Sequence, residues 1–361
     1  MKKSLLALAV LGAYAGVASA QSSVTLYGTV DLNGRYIKQD VVSGRDHQYS
    51  MGRDGINSSQ LGFRGIEDLG GGLKAGFLLL SSVGADSGDI GAGQSAAGSG
   101  KFWTRRATVS LFSNAGELRL GRDYTPTFWN NTIFDAFGTN GIGDSTAGIL
   151  QLATTTFVRA DNSIGYFLPA NIGGFYGQFM AAAAEPGQAG QTSNNGRYLG
   201  GRVGFAAGPF DVAFAYAQQR DAAGAGTGLT QDTWNIGGAY DFGFLKLMGY
   251  YVHDKRDSTG KEDRWSISGV IPMGQGEVHL GYAQSKLDFD NPAIGDNKQK
   301  KYMATYQYNL SKRTAMYGTI AMLDNGDFAN ASLAGGTSAV TGVRELGGKS
   351  KGFEVGVRHF F

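Results

Sequence analysis

The sequence predicts an all-β protein: a transmembrane, antiparallel, up-and-down β-barrel of 16 strands whose long third outer loop folds into the lumen. Three observations carry that expectation. Apolar and polar residues alternate with a period of two along nearly the whole chain. Short turns and long polar connections alternate between the strands. The 58 glycines and 12% aromatic residues follow no three-residue repeat and accompany only 6 prolines, which excludes a collagen-like rod.

The chain has 361 residues, 42% hydrophobic and 17% charged, a balance too apolar for disorder. Its 32 basic and 30 acidic residues give no electrostatic reason to bind nucleic acid. Residues 1–20 read as a cleaved signal peptide: basic Lys2 and Lys3, an apolar stretch from Leu5 to Val17, then the small Ala18-Ser19-Ala20. The rest, 21–361, reads as one barrel domain exported to the bacterial outer membrane. Exported chains often carry disulfides, yet cysteine is absent. No later run approaches the ~18 apolar residues of a membrane helix. A chain that spans the bilayer must then do so with strands.

The first strand shows the pattern. Val24, Leu26, Gly28, Val30 and Leu32 are apolar or small, whereas Thr25, Thr29, Asp31 and Asn33 are polar. The alternation returns at Leu61/Phe63, Ala107/Val109/Leu111, Val212/Phe214/Tyr216, Trp265/Ile267, Val278/Leu280/Tyr282 and Phe353/Val355/Val357. Tight turns are expected at 67–71, 113–116, 171–174, 207–209, 241–243, 272–276 and 309–312, where Gly and Asn supply positive φ. Long loops are expected at 40–55, 84–100, 124–158, 186–196, 220–230, 254–262, 288–298 and 324–350. Seven turns and eight loops join 16 strands, and a ring of that size holds water instead of a packed interior. Aromatic pairs such as Phe102-Trp103, Tyr166-Phe167 and Phe360-Phe361 fit interfacial girdles. A soluble sandwich or propeller would show neither the asymmetry of connections nor so extensive a polar face.

The loop 124–158 is too apolar for a solvated tip. Phe128, Trp129, Ile133, Phe134, Phe137, Ile142, Ile149, Leu150 and Phe157 need a surface to pack on, and the inner wall offers one. Its body carries two acids, Asp135 and Asp144. Nearby stand Arg64, Arg105, Arg106, Arg119, Arg122 and Arg159. Arg64, Arg106 and Arg159 share parity with polar lumen positions. Arg105 falls on the lipid parity, where a charge deep in the bilayer costs ~2–4 kcal/mol, so a rim position or a β-bulge is expected for it.

The start Gln21-Ser22-Ser23-Val24-Thr25-Leu26-Tyr27-Gly28, the run Ser59 to Phe77 (SQLGFRGIEDLGGGLKAGF), Arg105-Arg106-Ala107-Thr108-Val109-Ser110-Leu111, Glu117-Leu118-Arg119-Leu120-Gly121-Arg122, Leu310-Ser311-Lys312-Arg313-Thr314 and the final Phe361 resemble the trimeric porins of beta-proteobacteria. The likeness covers essentially all of 21–361 and is strongest to the anion-favouring general porins. It implies a homotrimer in the lipid and lipopolysaccharide of the outer membrane, a third loop narrowing each pore, and passive diffusion of small hydrophilic solutes. It also implies that Phe361 is read by the barrel-assembly machinery, and that loop 84–100 reaches over the adjacent subunit. Constriction arginines of the family match Arg105 and Arg159; a third falls at Gln60, which weakens the positive field.

Together these readings place the constriction at Gln60, Arg64, Arg105, Arg106, Arg159, Asp135 and Asp144, with a mild preference for small anions. Guanidinium keeps its charge at every physiological pH, and low-dielectric walls concentrate its field. No HExxH, Gly-x-Ser-x-Gly or phosphate-loop motif occurs, and the four histidines lie in separate segments. No enzyme, cofactor or metal is expected. The competing readings are an adhesive or structural surface barrel and a barrel-embedded hydrolase.

Overall fold

The computed structural model describes residues 23–91, 101–154, 156–170, 172–184, 196–220, 229–291, 295, 297–333 and 342–361. The leader read at 1–20 and the glycine-rich loop tip at 92–100 lie outside the described residues.

The strands in chain order are β1 (Ser23–Gln39), β2 (Val41–Ser43), β3 (His47–Arg53), β4 (Gln60–Gly70), β5 (Leu73–Gly84), β6 (Asp89–Ile90), β7 (Arg106–Ser113) and β8 (Gly116–Tyr124). A short helix, α1 (Pro126–Ile133), follows. Next come β9 (Arg159–Phe167), β10 (Phe175–Ala182), β11 (Tyr198–Ala207), β12 (Phe210–Arg220), β13 (Thr230–Asp241) and β14 (Lys246–Arg256). The chain closes with β15 (Gly260–Met273), β16 (Gly276–Phe289), β17 (Asn297–Asn309), β18 (Thr314–Asp324), β19 (Val343–Arg344) and β20 (Lys349–Phe360).

Neighbouring strands pair antiparallel, and β1 meets β20 to close the ring. The other edge of β1 pairs with β3 near its outer end and with β4 near its inner end. Strands β3 and β4 are therefore one stave broken at residues 54–59, and the closed wall has 16 staves. The seam is fastened at its base by two backbone bonds, Gly28 N–H to Phe361 O and Phe361 N–H to Gly28 O, each 3.1 Å.

The period-two pattern sorts the wall into two faces. Val24, Phe214, Ile236, Leu280, Ile320 and Val355 point outward and are exposed. Inward residues such as Gln231, Asn235, Ser285 and Gln299 are polar and buried within the lumen. This inversion of a soluble protein, greasy outside and hydrogen-bonded inside, is the arrangement a bilayer imposes on a barrel. At the short-turn end, Gly70, Gly71 and Gly72 all adopt positive φ (81°, 62° and 84°), a backbone path closed to most side chains.

Three connections differ from expectation. The loop expected at 254–262 is only a turn at 257–259, because β14 runs to Arg256 and β15 starts at Gly260. Its polar residues are wall: Asp254 and Glu262 point inward and are fully buried against Arg264. The segment 40–55 contains β3, and its β2 pairs with β19 of the last loop. The loop at 288–298 is shortened on both sides by β16 and β17. In each case, charge that reads as loop in sequence belongs to the lumen face or to the outer rim of a strand.

Candidate functional site

The connection from Thr125 to Val158 turns into the lumen and lies along the inner wall from β10 round to β20. Pro126 stands at the first turn of α1, where its missing N–H costs nothing. The wall makes room with small residues: Ala213, Ala215 and Ala217 of β12 are buried on the lumen side. Asn130 Nδ2 donates to Ala213 O (3.2 Å) and Asn235 Oδ1 (2.9 Å), and Asn235 Nδ2 donates to Thr127 O (2.9 Å). Phe134 fills the space above Gly237, where a Cβ would lie 2.3 Å from the ring.

Beyond the helix, charged wall groups capture the loop backbone. Ala136 N–H donates to Ser268 Oγ (3.0 Å), and Ala136 O lies 2.7 Å from His279 Nδ1. Ile142 N–H donates to Glu354, which is itself paired with Arg35 at 2.8 Å. Lys301 Nζ donates to Asp144 O (2.5 Å) and Ala147 O (2.9 Å). Glu262 accepts from Leu152 N–H (2.7 Å) and Gln151 N–H (3.2 Å). Buried polar groups of this kind are costly unless paired, and here the loop supplies the partners.

Because the loop covers the β10–β20 wall, the open passage is left on the other side, against β4, β7, β8 and β9. A cavity of about 670 Å³ there is lined by Gln60, Arg105, Arg122, Tyr124 and Arg159 on the wall side and by Trp129, Asp144 and Leu150 on the loop side. A larger hollow of about 890 Å³ is formed by outward residues such as Leu247, Ile267, Leu280 and Ile320. It faces lipid and has no connection with the passage.

Arg105 stands one residue ahead of β7, where the ladder to β5 ends on the bond from its N–H to Leu80 O (3.0 Å). At a strand end the parity rule no longer binds, so its guanidinium lines the cavity. Arg159 is separated from the lumen residue Ser163 by a β-bulge: Gly121 opposes Ser163, yet Asp123 opposes Ala160, and Asn162 takes φ 51°. Parity counted from Ser163 therefore does not reach Arg159, which instead opposes Tyr124. Arg105 Nη2 and Arg159 Nη2 both donate to Tyr124 Oη, at 2.7 and 2.9 Å, and the Arg159 guanidinium lies 4.4 Å from the Tyr124 ring centroid. Arg122 donates to Asp161 (2.6 Å) and to Thr104 O (2.8 Å).

Three further candidates, Arg64, Arg106 and Asp135, lie apart from this cavity. Arg106 is paired with Asp123 at 2.7 Å, and Asp123 also receives Arg119 at 2.5 Å. Arg64 is exposed over the Tyr27 ring, and with Arg106 and Arg119 it lines a separate hollow of about 160 Å³. Asp135 is buried inside the loop, accepting from Phe137 N–H (3.1 Å), Thr139 N–H (3.2 Å) and Ser145 Oγ (2.9 Å). Burial pushes its carboxyl up to about 6, with Asp144 adding to the rise and the hydrogen bonds opposing it. Asp144 lines the cavity and accepts from Thr146 N–H at 2.6 Å.

Tyr124 and Arg122 were not singled out as site residues in sequence. The available signal was a charge on the lipid parity at neighbouring strand ends, Arg105 and Arg122, a placement tolerable only if the strand ends turn away from lipid.

The sequence matches the family model described as Gram-negative porin over residues 7–327. It is 42% identical to outer membrane porin protein 32 of Delftia acidovorans, covering 100% of both chains. It is 30% identical to an outer membrane porin protein of Bordetella pertussis, over 95% of this chain and 99% of that one. Among solved structures it resembles the anion-selective porin from Comamonas acidovorans, with TM-score 0.79 and 39% identity over 94% of this chain and 100% of that one.

Proposed function

The chain belongs to the Gram-negative porin family and is an outer-membrane channel for passive diffusion, and from that premise we propose that its passage prefers small anions such as chloride, phosphate and small carboxylates. One observation carries this reading: Arg105 and Arg159 line a cavity in which Asp144 is the one lining carboxylate among the described residues, while the third arginine there, Arg122, is paired with Asp161. Water in a narrow passage between low-dielectric walls screens such charges poorly, so the local potential follows the excess of one sign. Arg105 and Arg159 share a phenol, a neutral partner that fixes their position and adds no negative charge. Gln60, polar but neutral, keeps the preference mild. Asp144 on the loop side and the arginines on the wall side set up a transverse field that orients water and dipolar solutes.

Arg64 and Arg106 act in the same reading as a second, weaker positive region beside the main cavity, and Asp135 holds the loop's shape. The working unit is a homotrimer of the chain from residue 21 onward; apolar Phe63, Phe77, Leu79 and Val109 on the outer face of β4, β5 and β7 suit a subunit contact. Phe361, clasped to Gly28, is the element presented to the barrel-assembly machinery, and lipopolysaccharide surrounds the outer rim. The role requires no catalytic step. Reversal potentials of the purified protein in asymmetric KCl test the selectivity: a potential of the chloride-preferring sign is expected, and a cation-preferring sign overturns the reading.

A further inference from the structure

Permeation makes no use of the hollow of about 890 Å³ on the lipid face of β14 to β20. At its level in the wall, Leu280, Ala304, Ile320 and Phe353 stand opposite one another in successive strands, and all point outward. Ala304 is the smallest of the four, so it opens a trough between Leu280 and Ile320. Two residues nearer the long-loop end, the outward row runs Tyr282, Tyr302, Met322, Lys351 and Lys38. The Tyr282 ring lies 5.1 Å from Trp265 and 5.0 Å from Tyr302, an aromatic belt that marks the depth at which hydrocarbon gives way to headgroups. Lys351 borders the hollow itself. Beyond the belt, Lys300 stands opposite Asp324 and Lys298 opposite Lys286. Asp46, Asp288 and Asp324 pair with Lys38 (3.4 Å), Lys286 (2.6 Å) and Lys349 (3.6 Å), and Asp263 is held by Tyr251 and His253. Among the described residues, no carboxylate pairs with Lys298, Lys300 or Lys351.

We infer that this quadrant of the wall is a fixed seat for one phosphorylated, multiply acylated glycolipid of the outer leaflet, with its phosphates on Lys300 and Lys351 and an acyl chain lying in the hollow over Ala304. The long-loop end of such a barrel faces the cell exterior, so these ammonium groups stand at the level of that leaflet's phosphates. Lysine stems lie along apolar surface while their charged ends reach the headgroup layer. Ala304 lies four residues below Lys300 on β17, about 13 Å along the strand at ~3.3 Å per residue, a span that an acyl chain bridges. In hydrocarbon, packing and not water exclusion favours one chain position over another, and a trough gives a chain more contacts than a flat wall. The inference rests on the lipopolysaccharide surroundings proposed above and assigns them a site.

Native mass spectrometry of the purified protein in detergent tests it, with diphosphoryl lipid A and its chemically dephosphorylated form as probes. The diphosphoryl form is expected to bind about five- to thirtyfold more tightly, the range that two lysines near a charged lipid supply. Lys300→Gln with Lys351→Gln should bring that ratio toward one. Ala304→Phe, which fills the trough, should weaken both forms about threefold or more while preserving their ratio. All three substitutions face away from the passage, so an unchanged single-channel conductance shows that each variant is correctly folded. Equal binding of the two forms, a ratio unmoved by the lysine substitutions, or binding unmoved by Ala304→Phe overturns the inference. Displacement of the bound lipid by inorganic phosphate alone would identify a headgroup patch without an acyl seat and would likewise overturn it. Failure of diphosphoryl lipid A to bind anywhere on the protein, in contrast, defeats the underlying reading of its surroundings.

Discussion

Arg105 and Arg159, 54 positions apart in sequence, donate to one oxygen, Tyr124 Oη, at 2.7 and 2.9 Å. Two like charges are thus held side by side by a third residue that carries none. Tyr124→Phe removes that shared acceptor while keeping the ring. Hydrogen bonds to charged groups contribute about 1.5–3 kcal/mol each, so thermal stability should fall by ~1–3 kcal/mol after partial rescue by water. The freed guanidiniums should separate, weakening the local field. A lower chloride-over-potassium ratio by reversal potential checks this.

Charge reversal should separate the two arginine groups. Arg105→Glu with Arg159→Glu is expected to turn the channel toward cations. Arg106→Glu sets a third acid beside Asp123 and Glu117, which Arg119 alone would then serve. Removing one partner of a buried pair costs ~3–5 kcal/mol. Its main effect should therefore be a lower unfolding temperature, with a smaller change in reversal potential. A full reversal of selectivity by Arg106→Glu alone would contradict the placement described here.

Gly237→Ala tests how the loop is seated. The added carbon would lie 2.3 Å from the Phe134 ring, so the loop must shift off the wall and toward the passage. Overpacking of this kind costs ~1–3 kcal/mol. Single-channel conductance should fall and its noise should rise; an unchanged conductance would show that the loop adapts without moving.

Asp135 carries a pH dependence of definite sign. Its carboxyl, held at about 6 in the folded loop against about 3.9 in an unfolded chain, binds its proton more tightly when folded. Its ionisation therefore opposes folding: the penalty is absent below about pH 4, grows through pH 6, and approaches ~3 kcal/mol above that. Acidification from pH 7 to pH 5 should raise the unfolding temperature. Asp135→Asn should flatten that rise while lowering stability overall, because an amide cannot accept all the bonds from Phe137, Thr139 and Ser145. Melting followed by circular dichroism at the two pH values decides it.

Ionic strength supplies an independent check on the field. The Debye length shrinks from ~10 Å at 0.1 M salt to ~3 Å at 1 M. The chloride preference should be clearly larger at the lower concentration. A ratio that does not change with salt would point to selection by size alone.

The wall was legible in sequence because a barrel strand repeats every two residues and each face has one solvent. Val24 to Asn33 and Val278 to Tyr282 needed no tertiary information. Where both faces turn polar, near the rims, the same rule misread Asp254 to Glu262 as loop, since a buried lumen carboxylate such as Glu262 looks in sequence like a solvated one. The inward loop could be anticipated from its aromatics. The Arg105–Tyr124–Arg159 arrangement could not, because it depends on a strand end and on the bulge at Asn162, where alternation no longer counts faces.

The loop is tied to staves on one side of the cylinder, from Ser268 and Glu262 to Lys301 and Glu354, while Arg105 and Tyr124 belong to staves on the other. The throat therefore has two banks mounted on opposite arcs of one elastic hoop. The width of the gap is therefore set by the wall that carries both banks, with the bond from Ser58 Oγ to Asn140 Oδ1 (2.8 Å) as a tie across it.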